Sequence, residues 1–246
     1  MALGRPPSSC GCGAVAHAPG AAGIAAIALT MNPLIAPEAQ ARDARCALSV
    51  NINKVALLRN TRHLGIPSVT RAASLCLEAG AQGITVHPRP DQRHIRAQDC
   101  FDLADMLSVE FNIEGNPMSG PRSSDRPGVG DYPGFMELVE DIRPAQCTLV
   151  PDTDGQLTSD HGFDLKQDGD AIAPLVQQLK SLGIRTSLFM DPDLNQIELA
   201  KTIGADRIEL YTGPFAALAA TVGLDAAPTL ECFERFRRAA EHATRI

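Results

Sequence analysis

The sequence predicts an α/β fold of the (β/α)8 TIM-barrel class, apparently ended after about six β-α units. Three observations predict it. Strand and helix patterns alternate from Ala47 onward with short links, which implies a parallel sheet. Each strand carries one apolar and one polar face, as in SVNIN, ITVH, EFNIE and RIELYT. Side chains along a strand point to opposite faces, and a sheet covered by helices on both sides would instead read as continuous apolar runs. In addition, the polar residues crowd the strand ends. A barrel accommodates all three, with apolar side chains against the outer helices and polar ones at the C-terminal mouth, where such barrels place active sites.

Taken in order, residues 1–45 are rich in Ala, Gly and Pro, and Arg5 is the only charged residue before Glu38. This composition buries little surface, so the segment is expected to be a disordered or mis-assigned N-terminal extension, with Met31 as an alternative start. One arginine is too few for the basic region of a targeting peptide. The barrel domain is expected over residues 46–246. Its strands are predicted at Ala47–Ile52, Gly83–His87, Glu110–Glu114, Gln146–Val150, Arg185–Met190 and Arg207–Tyr211. Helices are predicted near Ser68–Ala79, Gln98–Met106, Tyr132–Ile142, Gly169–Leu182, Asp193–Ile203 and Thr229–Thr244. Gly80, Gly183 and Gly204 stand where helix C-caps are expected. Between the third strand and its helix, Pro117–Gly134 is dense in Pro, Gly and Ser and reads as a loop, either a flexible lid or an insertion.

Composition narrows the function. A hydrophobic content of 44% fits a globular core, and a net charge of −7 argues against general nucleic-acid or anionic-membrane binding. No stretch approaches the ~18 apolar residues of a membrane span. Seven irregularly spaced cysteines read as reduced thiols of a reducing, cytoplasmic setting rather than a disulfide framework. Cys10 and Cys12 form CGC without a second pair, and no HExxH is present, so no metal constellation emerges.

The chemistry concentrates in GITVHPRPDQRHI, from Gly83 to Ile95. A buried strand needs none of His87, Arg89, Arg93 and His94 to fold. A site for an anionic substrate, with a histidine to move protons, uses all four. Arginines disfavour the charged form of a nearby imidazole, which suits His87 to a general base. Glu114 ends the next strand on the same polar face and reads as an acid/base group or as a helix cap. Lys54 or Arg62 would grip a phosphate or form a solvated cationic loop, and Asn51 and Asn53 stand beside them. Thr158, in LTSDHG, would donate to a substrate oxygen or cap a turn. Glu209, Tyr211, Thr212 and Gly213 repeat the polar strand end at the sixth strand. From these residues alone, the expected function is acid/base chemistry on a phosphorylated small molecule.

The motifs SVNINKVALLRNTR, AGAQGITVHPRPDQRHI, EFNIEG, CTLVPD with LTSDHG, TSLFMD and GADRIELYTGPFA resemble the pyridoxine 5′-phosphate synthase family, in order from about Ala47 to Ala216. The resemblance implies a condensation of 3-amino-2-oxopropyl phosphate with 1-deoxy-D-xylulose 5-phosphate. The products would be pyridoxine 5′-phosphate, phosphate and water, in vitamin B6 biosynthesis. It implies no metal or organic cofactor, and a homo-octamer of barrels. By position, His87 and Glu114 match the family's two proton acceptors, and Asn51 matches a contact to the amino ketone phosphate. Asn53, Lys54, Arg62, Arg89, His94 and Thr158 match contacts to the deoxyxylulose phosphate. Many family members carry Asp-His where this sequence has Asn53-Lys54. The family pattern continues with a strand ending in Gly-His, which supplies a proton-donating histidine, and an eighth strand. Neither is found before Ile246, so the chain is expected to be a C-terminally shortened member. The alternative is a non-catalytic remnant that binds phosphorylated ligands or an intact homologue.

Overall fold

The computed structural model describes residues 46–62 and 64–246, and the expectation for residues 1–45 lies outside the described residues. Six strands are present: β1 (Ser49–Asn51), β2 (Gly83–Val86), β3 (Glu110–Gly115), β4 (Gln146–Leu149), β5 (Arg185–Met190) and β6 (Arg207–Leu210). They form one sheet in the order β1-β2-β3-β4-β5-β6, every pair parallel. The helices are α1 (Asn53–Asn60), α2 (Val69–Glu78), α3 (Ala97–Met106), α4 (Phe135–Ile142), α5 (Leu165–Ser181), α6 (Leu194–Thr202), α7 (Gly213–Val222) and α8 (Ala227–Arg245). The architecture is that of a partial (β/α) barrel, with six curled parallel strands in sequential order.

All six predicted strands form, and the two-faced pattern sorts as expected. Ile84, Val86, Ile113, Cys147, Leu149, Leu188 and Met190 face the helices and pack with Ala73, Leu103, Leu138, Val176 and Leu179 in the core. The opposite face lines a polar interior of about 450 Å³ that includes Ser49, Asn51, Thr85, Glu110, Asn112, Glu114, Gln146, Arg207 and Glu209. Its side chains are joined strand to strand. Ser49 and Thr85 hydroxyls lie 2.8 Å apart, Asn112 Nδ2 donates to Thr85 Oγ1 at 3.4 Å, and Thr148 Oγ1 donates to Asn112 Oδ1 at 3.0 Å. At the N-terminal end Arg185 pairs with Glu110 and donates to Gln146 Oε1 at 2.9 Å, which Arg207 Nη1 also reaches at 3.0 Å. Buried polar groups need such partners, because each one left unsatisfied costs about 1–3 kcal/mol.

The predicted helices form with ends shifted by a few residues, and Gly80, Gly183 and Gly204 take the left-handed φ values of helix C-caps, 102°, 77° and 96°. Two further helices, α1 and α7, had no prediction. Ile52, the residue before α1, supplies no capping side chain, and α7 buries none of its residues, so neither has the stripe or cap that makes a helix legible. The Pro117–Gly134 segment is an anchored loop. Arg122 and Tyr132 bridge each other through paired backbone hydrogen bonds at 2.8 Å, and Tyr132 is buried with its hydroxyl 3.4 Å from the Pro88 carbonyl. Gln92 Nε2 donates to the Gly130 carbonyl at 2.7 Å, so the loop braces the segment after β2.

Candidate active site

The parallel register lines up the strand ends. Val86 pairs with Ile113, so His87 and Glu114, one residue further along, stand side by side at the C-terminal mouth. His87 Nδ1 lies 3.9 Å from Glu114 Oε2. The strand–helix junction after β1 supports them. Asn51 Oδ1 accepts from the Asn53 backbone at 3.0 Å, and Asn53 Oδ1 accepts from the His87 backbone at 2.9 Å. Asn51 Nδ2 also reaches Glu114 Oε2 at 3.5 Å.

A cleft of about 330 Å³ opens at this point. Asn51, Asn53, Lys54, His87, Arg89, His94, Glu114 and Thr158 all line it, so eight of the nine residues expected from the sequence converge. The ninth, Arg62, sits exposed in the turn after α1 and does not line the cleft. Its neighbour Arg59 is instead buried, paired with Asp99 and donating to the His94 carbonyl at 2.9 Å.

The electrostatics of the cleft favour neutral acid/base groups. Burial pushes the His87 imidazole well below its ordinary pKa, reinforced by Arg89, His94 and Arg93. Burial, then Arg93 and Arg89, lowers His94 to about 4. The Glu114 carboxyl is pushed well above its usual range by burial, with Glu209 and Asp152 adding repulsion. Burial likewise raises Glu209. At neutral pH His87 is therefore ready to accept a proton, while the buried carboxyls resist ionisation together. A pair of titratable groups driven in opposite senses is the arrangement general acid–base catalysis uses.

The segment between β4 and α5 forms one wall. Val150, Leu157, Thr158 and Ser159 contribute to it, and Phe189 of the neighbouring strand β5 also lines the cleft. Arg89 Nη1 donates to the Gln156 carbonyl at 3.1 Å, and Arg93 Nη2 donates to the Leu157 carbonyl at 3.2 Å. These contacts tie the Thr158 wall to the segment after β2. Sequence reasoning had no site role for Asp152, Ser159 or Phe189, and it noted Glu209 only as a polar strand end. Glu209 had a usable signal, since its strand phase matches Glu114. Phe189 had none, because a strand-end phenylalanine reads as core. Among the described residues no group of three or more His, Cys, Asp or Glu is placed to hold a metal ion.

Comparison with known proteins agrees with the motifs. The family model for pyridoxal phosphate biosynthesis protein PdxJ matches residues 48–246. A pyridoxine 5′-phosphate synthase of Xanthomonas axonopodis pv. citri is 54% identical over 200 residues, 80% of this chain and 74% of that protein. The synthase of Xanthomonas campestris pv. campestris strain B100 is 57% identical over 172 residues, 69% of this chain and 64% of that protein. A solved PaMucR phosphodiesterase in complex with c-di-GMP aligns with a TM-score of 0.40 at 14% identity, over 67% of this chain and 59% of that one, a likeness too shallow to carry weight. With the family match covering the whole described sheet, from β1 to α8, the chain belongs to the PdxJ family of pyridoxal phosphate biosynthesis proteins.

Proposed function

We propose that this chain acts as a pyridoxine 5′-phosphate synthase, condensing 3-amino-2-oxopropyl phosphate with 1-deoxy-D-xylulose 5-phosphate. The observation that carries the proposal is the convergence of eight expected residues on one cleft, in a chain more than half identical to proteins named for that activity. The condensation joins an amine to a ketone, expels phosphate and closes a ring with loss of water. Each step moves a proton. His87, neutral and buried, is the base that removes it. Glu114 accepts in turn, since burial, Glu209 and Asp152 raise its affinity for a proton and make its ionised form the stronger base. Glu209 lies on the same cleft wall and shares the task of holding a proton there.

Lys54, Arg89, His94, Asn53 and Thr158 surround the deoxyxylulose phosphate in this reading, and Asn51 contacts the amino ketone phosphate. Arg62 reaches a substrate only if the turn after α1 moves toward the cleft. The proposal includes a homo-oligomer, an octamer by resemblance. Exposed Leu57, Leu58, Leu64, Ile66 and Leu75, all between Asn53 and Glu78, support it as apolar surface available for burial between copies. The cytoplasmic setting is supported by the free thiols of Cys46, Cys76, Cys100, Cys147 and Cys232.

The test is to supply both substrates to the purified chain and follow phosphate release and pyridoxine 5′-phosphate formation. Turnover that His87→Asn abolishes establishes the reading. Binding of either substrate without turnover overturns it in favour of a ligand-binding remnant.

A further inference from the structure

Asp152 has no assigned role, yet its carboxylate joins two residues that line the cleft, Arg89 and Ser159. It follows β4 by three residues, is 3% exposed, and does not itself line the cleft. Its Oδ2 pairs with Arg89 Nη2 and accepts from Ser159 Oγ at 2.7 Å. The same oxygen lies 3.9 Å from His87 Nε2. The Asp152 backbone carbonyl accepts from Asn116 Nδ2 at 2.7 Å, which ties this position to the end of β3. Arg89 in turn donates to the Gln156 carbonyl at 3.1 Å. One carboxylate thus fixes a guanidinium on the β2 side and a hydroxyl beside Thr158 on the opposite wall.

Its other oxygen, Oδ1, is buried with no hydrogen-bond partner among the described residues. A carboxylate selected for stability alone would satisfy both oxygens, because a buried unpaired acceptor is destabilising.

We propose that Asp152 is a positioning residue that sets Arg89 and the Thr158–Ser159 turn in one arrangement around the deoxyxylulose phosphate. Arg89 has several rotatable bonds, and a guanidinium paired on one edge presents its remaining N–H groups in a fixed direction. Ser159 transmits the same constraint to its neighbour Thr158. The inference rests on the reading of the cleft given above, and it predicts an effect confined to one of the two substrates.

The experiment is calorimetric titration of the purified full chain with 1-deoxy-D-xylulose 5-phosphate and, separately, with freshly prepared 3-amino-2-oxopropyl phosphate. Asp152→Asn keeps the shape and an acceptor for Ser159 but removes the charge that holds Arg89. It is expected to weaken deoxyxylulose phosphate at least tenfold and to leave the amino ketone phosphate within threefold. Asp152→Glu, which retains the charge, is expected to recover more of the affinity than Asp152→Asn. If circular dichroism finds Asp152→Asn unfolded, Ser159→Ala removes one arm of the clamp alone, and a weakening of threefold or more for the same ligand is expected. Equal weakening of both ligands would reduce Asp152 to a fold-stabilising residue and overturn the inference. Unchanged binding in a folded Asp152→Asn would also overturn it, with the cleft reading intact. A wild-type chain that binds neither ligand overturns both.

Discussion

Arg59→Met is expected to destabilise the protein severely although Arg59 does not line the cleft. Arg59 and Asp99 have side chains only 8% and 10% exposed, and they form a two-pronged pair whose second bond, Nη2 to Oδ2, measures 2.9 Å. Arg59 Nη2 also holds the His94 carbonyl at 2.9 Å. Methionine fills similar volume but leaves Asp99 with one donor, the Arg96 backbone N–H at 2.7 Å. Breaking a buried pair in this way costs about 3–5 kcal/mol, because the stranded charge has no water to turn to. Against a total stability of roughly 5–15 kcal/mol that is a fifth or more. At about 2–4 °C per kcal/mol for a domain of this size, the melting temperature should fall by roughly 6–20 °C. Urea denaturation of Arg59→Met, Asp99→Leu and the double variant measures the coupling. The double variant should recover at least half of the loss, since it removes the unpaired charge as well. A single-variant loss below about 1 kcal/mol, or strictly additive effects, would refute the burial argument.

Four other outcomes are expected. His87→Asn should lower kcat by about 10²–10⁴, the usual contribution of a positioned base, while substrate affinity holds within a few fold; an unchanged rate of phosphate release would remove His87 from the chemistry. Glu114→Gln should raise the melting temperature, and more so at pH 8 than at pH 5. Burial, Glu209 and Asp152 raise the Glu114 pKa in the folded state, so its contribution is most favourable below the ordinary value of about 4.3 and is lost as pH rises through the raised value. Glutamine removes that loss, and a pH-independent difference would contradict it. His87 and His94 act in the opposite sense. Their lowered values make the folded state lose stability as pH falls below about 6.5, a decline that continues for His94 down to about 4. Finally, Gly115→Ala would drive a methyl into the ring of the fully buried Phe135, an overpacking cost of about 1–3 kcal/mol that Phe135→Leu should partly relieve in thermal melts.

The fold was legible because the two faces of this sheet meet different surroundings. Ile84 and Val86 must contact helices, while Thr85 and His87 must contact an interior that hydrogen-bonds, and period-2 alternation records that difference directly. The same logic explains the helices that were not legible. In α1 the apolar residues include exposed Leu57 and Leu58, so their spacing marks no core stripe. In α7 the run is uniformly small and apolar with nothing buried, which carries no phase information.

The site was legible for a related reason, and its gaps are equally physical. His87, Arg89 and His94 stand within eight residues of one another, and Glu114 shares the phase of His87 on the adjacent strand, so local sequence already holds their proximity. Asp152 bonds Arg89, sixty-three positions away in the chain, and Ser159 bonds Asp152 in turn. An aspartate after a proline in a loop reads as a turn residue, and nothing local marks it as the counter-ion of a distant arginine. The same argument separates Arg59 from Arg62. Three residues apart and chemically identical, one lies inside an ion pair and the other in solvent, because Arg59 stands on α1 where it meets Asp99 while Arg62 falls beyond the helix end at Asn60. Spacing identifies the polar groups that gather at the strand ends, whereas the charges that hold those groups in place are settled by which strands become neighbours.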